Sequence, residues 1–157
     1  MVASSLTVTN SVRNIAEEAF IACGKIYKLT VPEGITNIAY GAFALSLNLM
    51  DVEIAGTVKS IGDKAFIHDY MPDDRWENPV VGRLVLHDGI ESIGKTAFSG
   101  APMLGDIIIP DSVTTIGGWA FYKCTSLTSV TIPGSVTTID RYAFCDCKSL
   151  TSVSIPD

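Results

Sequence analysis

One stretch of this chain returns almost unchanged further along. The segment SVTTIGGWAFYKCTSLTSVTIP, from Ser112 to Pro133, recurs as SVTTIDRYAFCDCKSLTSVSIP, from Ser135 to Pro156. The same register, carried over the whole chain, aligns every phenylalanine at intervals of 23, 23, 32, 23 and 23 residues: Phe20, Phe43, Phe66, Phe98, Phe121 and Phe144. Because a unit this short cannot bury its own apolar face, the fixed period predicts a solenoid whose coils stack and whose phenylalanines form a ladder in the core.

Each unit divides into three pieces. The first, L-x-x-V-x-I-P, as in Leu127 to Pro133, alternates apolar and polar residues and predicts a strand in a parallel sheet. The second, V-x-x-I, as in Val113 to Ile116, predicts a short extended segment on the opposite side of the core. The third contains Ala-Phe, as at Ala120-Phe121, and predicts a single helical or 3₁₀ turn, since three copies open it with glycine and none is long enough for a regular helix.

The register predicts a single solenoid domain over residues 1–157. A half-repeat covers 5–10, and the coils run at about 11–33, 34–56, 57–88, 89–111, 112–134 and 135–157. The third coil carries an insertion at 68–82, HDYMPDDRWENPVVG. No polar capping unit follows the last strand, so we expect this chain to be a fragment of a longer surface protein and its uncapped coil to associate end to end.

The unit S-V-T-x-I-x-x-x-A-F-x-x-C-x-S-L-T-S-V-x-I-P resembles the BspA-like class of leucine-rich repeats, and the resemblance covers Ser5 to Pro156. It implies an α/β repeat fold: a right-handed solenoid of about six 23-residue coils, with a parallel sheet on one face and short extended segments and helical turns on the other. It also implies a cell-surface or secreted protein that adheres to host, matrix or cell proteins. The resemblance brings no catalytic residue with it.

The outward residues of the predicted sheet are the natural binding face, because the inward ones are committed to packing. Its middle carries two apolar residues with a charged rim, which is typical of protein-binding patches. The residues of this patch are Asp51, Glu53, Arg83, Val85, Asp106 and Ile108. Ordinary β-propensity on a solvated sheet, with ion pairs between neighbouring rows, explains the same residues equally well.

The insertion is a second candidate for binding. It contains Tyr70 and Trp76 among charged residues and His68, and tryptophan is enriched among residues that dominate binding energy. The alternative is that Trp76 covers the seam where the regular stack is interrupted. Asp69, Asp73 and Asp74 supply oxygen atoms, but not in the spacing of a calcium loop, so no metal site is predicted.

The composition restricts the partners. The 157 residues are 47% hydrophobic and carry a formal charge of −6, from 11 Lys and Arg against 17 Asp and Glu. This balance argues against a general nucleic-acid binder, which needs a basic stripe. No apolar run is long enough to span a bilayer, and the N-terminus lacks the features of a signal peptide.

Three of the four cysteines share one slot, three residues after the phenylalanine: Cys23, Cys124 and Cys147. A small buried residue explains the slot, and a disulfide between Cys124 and Cys147 on adjacent coils stays open as the alternative. Cys145 is predicted to be the most exposed thiol. A zinc site at Cys145-x-Cys147 lacks the second pair of ligands it needs.

No motif for a nucleophile, a metalloprotease, a phosphate loop or a dinucleotide appears, so the sequence predicts neither an enzyme nor a cofactor. His87, which replaces the proline after a strand, is interpreted as a surface variant. The function predicted is a protein-binding or adhesion module. The alternative is a structural spacer that holds another domain away from the cell and has no ligand of its own.

Overall fold

The computed structural model of this chain describes residues 4–68 and 81–155. These residues form a right-handed parallel β-solenoid of about six coils. Thirteen strands, numbered in chain order, are described, and every pairing between them is parallel.

The L-x-x-V-x-I-P segments form the strands of one face, as their alternation predicts. In β5, for example, Val52 and Ile54 are fully buried, whereas Asp51 and Glu53 point outward. The strands of this face are β1 (Ser4–Thr7), β3 (Ile26–Val31), β5 (Asp51–Ile54), β7 (Arg83–Leu86), β9 (Ile107–Ile108), β11 (Ser129–Thr131) and β13 (Ser152–Ser154).

This face is not one continuous sheet. Strands β1, β3, β5 and β7 form a four-stranded sheet, and β9, β11 and β13 form a separate three-stranded sheet. The residue after β7, His87, donates its amide to Ile54 O of the preceding coil at 3.2 Å. The fourth coil has Pro110 at the position of His87, but proline also follows β3 and β11, and both of those strands pair with the preceding strand. We call the boundary between β7 and β9 the seam.

The V-x-x-I segments form a second, unbroken ladder on another side of the core. Each contributes a strand of two residues, and the six strands pair in chain order. They are β2 (Asn14–Ile15), β4 (Asn37–Ile38), β6 (Ser60–Ile61), β8 (Ser92–Ile93), β10 (Thr115–Ile116) and β12 (Thr138–Ile139).

The predicted helical turns are wrong: no helix is present in residues 4–68 or 81–155. In the third piece of each of the first five coils, alternate amides bond to carbonyl oxygens of the next coil instead of bonding within the segment. In the first coil, for instance, Glu18, Phe20 and Ala22 donate to carbonyl oxygens of the second coil at 2.8 to 3.0 Å. A helix needs those amides for its own i to i−4 bonds.

Left-handed backbone interrupts the same segment at two places. The residue two before the phenylalanine has a φ of 53 to 61° in all six coils, and residues two after it, such as Ala22 and Lys123, also adopt positive φ. These residues reverse the chain often enough to direct alternate amides outward, so the segment runs as a series of turns. We call the side of the solenoid formed by these segments the turn face.

The phenylalanine rings stack along the solenoid axis. Adjacent centroids are 5.1 to 5.5 Å apart, with interplanar angles of 2 to 10°. The four inner rings are fully buried, while Phe20 and Phe144 are partly buried. The aromatic stack therefore runs through the middle of the core and packs against the apolar residues of both sets of strands.

Candidate binding face

A row of alternating charges crosses β3, β5 and β7 on the outward face. The parallel register pairs Lys28 with Asp51, and Asp51 with Arg83. Lys28 Nζ lies 3.1 Å from Asp51 Oδ2, and Arg83 Nη1 lies 2.8 Å from Asp51 Oδ1. Each carboxylate oxygen of Asp51 therefore accepts from a different cation, and the central anion fixes both of its neighbours.

Two opposing effects set the pKa of Asp51. Partial burial raises it, but hydrogen bonds from Arg83 and Lys28, with their charges, outweigh the burial and leave the pKa below its ordinary value of 3.8. Asp51 is therefore ionised at neutral pH, and the row carries two cations around one anion.

A second pair lies beside this row. Glu53 aligns with Val85 in the register, and His87 Nε2 lies 3.2 Å from Glu53 Oε1. The pair borders a shallow hollow of about 290 Å³ that also touches Thr30 and Glu33. Glu33 and His87 were not predicted to belong to the binding face, although the replacement of the usual proline by His87 is visible in the sequence.

The seam divides the residues of the predicted patch between the two sheets. Asp51, Glu53, Arg83 and Val85 share the four-stranded sheet, whereas Ile108 lies in β9 of the other sheet. Val85 is half-buried, but Ile108 is 75% exposed, the largest value among the exposed large apolar side chains described. The apolar part of the patch is therefore concentrated in Ile108.

Asp106 turns away from the seam toward the following coil. Its Oδ1 accepts from the Ser129 amide at 3.1 Å and from the Thr128 hydroxyl. Those hydrogen bonds, Thr128 first, lower the pKa of Asp106. The described residues show no ion pair between Asp106 and Arg83, since Arg83 bonds to Asp51 instead. Asp106 thus has a structural role at the start of β11.

The insertion falls mostly outside the described residues. Tyr70, Trp76 and the three aspartates considered for calcium all lie outside them. Its first residue, His68, is inside the solenoid at 2% exposure, and burial lowers its pKa to about 3. Neither ring nitrogen of His68 has a hydrogen-bond partner in the part of the chain that the structure describes. His68 is therefore a core residue, not a loop residue.

The cysteine slot has a specific hydrogen-bonding role. Cys124 Sγ lies 3.5 Å from Phe98 O, and Cys147 Sγ lies 3.1 Å from Phe121 O, each reaching the preceding coil. In the second coil Ser46 makes the same contact with Phe20 O at 3.1 Å. The slot therefore takes a small residue, and where it is serine or cysteine the side chain donates to the preceding coil; the fourth coil has the buried Ala101 there. All four cysteines are free thiols.

Comparison with known proteins identifies the repeat. The model for the BspA type leucine rich repeat region matches residues 2–74 and 71–157, in six copies. The chain belongs to the BspA-type leucine-rich repeat family. Leucine-rich repeat proteins of this kind are generally protein-interaction modules and typically have no catalytic activity.

Solved structures support the same fold. A leucine-rich repeat protein of T. pallidum is similar with a TM-score of 0.79 and 22% identity, over 95% of this chain and 68% of that one. A leucine-rich repeat protein from Eubacterium ventriosum ATCC 27560 is similar with a TM-score of 0.57 and 28% identity, over 84% of this chain and 32% of that one. The BspA-type chain therefore spans about a third of the length of the second protein. No curated protein matches the sequence.

Two further properties of this BspA-type solenoid concern possible ligands and membranes. Among the described residues, no group of three or more His, Cys, Asp and Glu side chains converges as a metal site would require. Within the same residues, no helix has the length and apolar character needed to cross a bilayer.

Proposed function

We propose that this BspA-type solenoid is a non-enzymatic protein-binding or adhesion module of a cell-surface or secreted protein, and that its ligand contacts the outward face of β3, β5, β7 and β9. The observation that carries this proposal is the row of Lys28, Asp51 and Arg83 on the four-stranded sheet, together with Ile108, which lies on the next strand across the seam and is 75% exposed. A charged rim with an apolar centre is a common arrangement in protein interfaces.

Preorganisation supports this choice of face. The parallel ladder holds the three charges at successive coils, and Asp51 bonds to both cations. When the charged side chains of a binding face are already held in place, less conformational entropy is lost on binding than when the ligand must order them. Charges of both signs on one face also suit a protein surface better than a polyanion, which would need a basic stripe.

Family membership supports the location. BspA-type repeats suggest a cell-surface or extracellular location, and we propose that location for this chain. Tyr70 and Trp76 are proposed as additional contacts on the evidence of their residue types alone. End-to-end association remains a separate proposal; light scattering that shows only monomer at high protein concentration would contradict it.

A variant in the middle of the face tests the proposal. Val85→Glu combined with Ile108→Glu places two carboxylates on outward positions without disturbing the core. The matched control is Thr131→Glu combined with Ser154→Glu, because these residues occupy the same outward row in later coils and are exposed. Binding of the labelled protein to intact epithelial cells and to a basement-membrane coating is measured by fluorescence, and folding by thermal denaturation.

We expect the first variant to lose most of the binding while both variants keep the unfolding temperature of the original chain. Equal binding by all three proteins would exclude this face as the interface. A deletion of residues 70–79 with intact folding then tests the insertion separately.

The second candidate function is a spacer that holds another domain away from the cell. The observation that favours it is the continuity of the stack: five successive ring contacts and an unbroken six-stranded ladder run along the described solenoid. Such a body resists bending without any ligand. Absence of binding by the original chain, together with normal folding, would favour the spacer. Turnover in a broad hydrolase screen would contradict both candidates.

A further inference from the structure

The turn face carries a notch at the second coil. Two columns of side chains run along this face, one at the position two before the phenylalanine and one at the position directly after it. The second coil has Gly41 and Ala44 at these positions. The coils on either side have larger residues there: Glu18 and Ile21 in the first coil, and Lys64 and Ile67 in the third.

The missing side chains leave a depression of about 280 Å³. Ala44 and Gly41 form its floor, and the flanking residues form its walls: Glu18, Ile21, Tyr40, Leu45, Lys64 and Ile67. Ile21 is 42% exposed and Tyr40 is 39% exposed. The depression is smaller than the pockets that usually hold drug-sized ligands, so its size suits one apolar side chain.

The backbone beneath the notch is rigid. Gly41 donates its amide to Asp63 O at 3.0 Å, and Leu45 donates to Ile67 O at 2.9 Å. From the first coil, Glu18 donates to Tyr40 O at 3.0 Å and Ala22 donates to Ala44 O at 2.8 Å. Hydrogen bonds to the first and third coils therefore hold the backbone of the notch in place, so a side chain can enter without a backbone rearrangement.

The charges around the notch select the partner. Of the described residues that line it, Glu18 is an exposed carboxylate and Lys64 is a cation, whose Nζ lies 5.4 Å from the Tyr40 ring centroid. No described residue forms an ion pair with Glu18. A cationic group on the partner therefore gains a favourable interaction at this rim. A second copy of this chain is disfavoured by its own net charge of −6.

We propose that this notch is a second binding site, on a different face from the strands, which takes an extended peptide segment of a partner protein. One apolar side chain of that segment, such as leucine, enters the notch, and a neighbouring lysine or arginine meets Glu18. The site does not depend on the sheet face described above, so failure of either proposal leaves the other standing.

Three capped peptides test the proposal against the ¹⁵N-labelled chain by NMR: GSGKLKGSG, GSGKSKGSG and GSGELEGSG. We expect the first, at millimolar concentration, to shift amides in the turn segments of the first three coils. The second and third should give no localised shifts, because they lack the apolar side chain and the cations respectively.

Ala44→Ile provides the matched variant. Isoleucine occupies the corresponding position in the coils on both sides, so the variant fills the notch with a residue that the repeat accommodates there. It should weaken binding of GSGKLKGSG at least about tenfold. Cys145→Ile, at the same position of the last coil, should leave binding unchanged and controls for added apolar surface.

Shifts outside the first three coils, or shifts that persist in Ala44→Ile, would overturn the proposal. So would equal binding of GSGELEGSG. Concentration-dependent association of the original chain that Ala44→Ile abolishes would identify the occupant as a second copy and would likewise overturn it.

Discussion

The ring of Phe66 stacks on the ring of Phe98 with centroids 5.1 Å apart and an interplanar angle of 6°, although 32 residues rather than 23 separate them in sequence. The regular pairs have the same geometry within 0.4 Å. The longer spacing therefore leaves the ring contact between the third and fourth coils the same as that of an ordinary step.

Truncation of an inner phenylalanine should be far more costly than truncation of an outer one. Phe98→Ala should lower the free energy of unfolding by about 3 to 5 kcal/mol, because it removes a fully buried ring between two others. Phe20→Ala should cost clearly less, since that ring is partly buried and contacts one stacked neighbour among the described residues. Urea denaturation measures both, and equal losses would contradict the buried stack.

Acid should destabilise the chain through His68. Its folded pKa is about 3, against 6.5 in the unfolded chain, so the unfolded state binds more protons between these values. Stability is complete above pH 6.5 and falls as the pH decreases below it, by about 2 kcal/mol at pH 5.

His68→Leu should flatten this pH dependence, since leucine occupies the equivalent slot as Leu45 in the second coil. Denaturant titrations at pH 7 and pH 5 test it. An unchanged slope of stability against pH in the variant would show that another group is responsible.

The thiols should react with iodoacetamide at rates that follow their burial and pKa. Cys23 and Cys145 are half-buried and should react before Cys124 in the native chain. Cys124 is fully buried, and the neighbouring Cys147 thiol together with burial raises its pKa, which lowers the fraction of reactive thiolate. Time-resolved mass spectrometry of tryptic peptides separates the sites. Equal rates at Cys124 and Cys145 would contradict the burial of the Cys124 thiol.

Alanine substitution at two glycines should have opposite outcomes. Gly89 has a φ of 118°, and a Cβ there would lie 1.8 Å from Gly56 O, so Gly89→Ala should cost about 3 kcal/mol or more. Gly105 has no heavy atom within 4 Å of the corresponding position, so Gly105→Ala should change stability by less than about 0.5 kcal/mol. Thermal denaturation of the two variants tests the close approach of Gly89 to Gly56; similar unfolding temperatures would contradict it.

The solenoid was predictable because its determinants repeat. Six phenylalanines in one register and the alternating strand motif predict which residues face inward, and Val52 and Ile54 are buried as that pattern requires. The outward rows were predictable for the same reason: the register pairs Lys28 with Asp51 and Asp51 with Arg83.

The features that the sequence analysis did not predict depend on contacts between coils. Helical turns were wrong because the amides of Glu18 and Phe20 bond to the next coil, a choice that local propensity does not reveal. The seam lies between two strands that carry the same motif, Leu84-x-Leu86 and Ile107-x-Ile109, so the motif does not reveal it. The notch at Gly41 and Ala44 depends on comparing one coil with its two neighbours, a comparison that the sequence analysis made only for the phenylalanine, cysteine and strand positions.

The hydrogen bonds of the turn face give the solenoid a polarity. From Glu18 to Tyr40, from Gly41 to Asp63 and onward to Arg141, the left-handed residue two before the phenylalanine donates its amide to the later coil, whereas Gly62, Gly94 and Gly117 donate to the earlier coil. Each inner coil thus presents one repeated set of donors and acceptors to the coil before it and another to the coil after it. An in-frame duplication or deletion of one 23-residue unit preserves every rung of that ladder, so the length of the stack can change by whole coils without a mismatch at the junction.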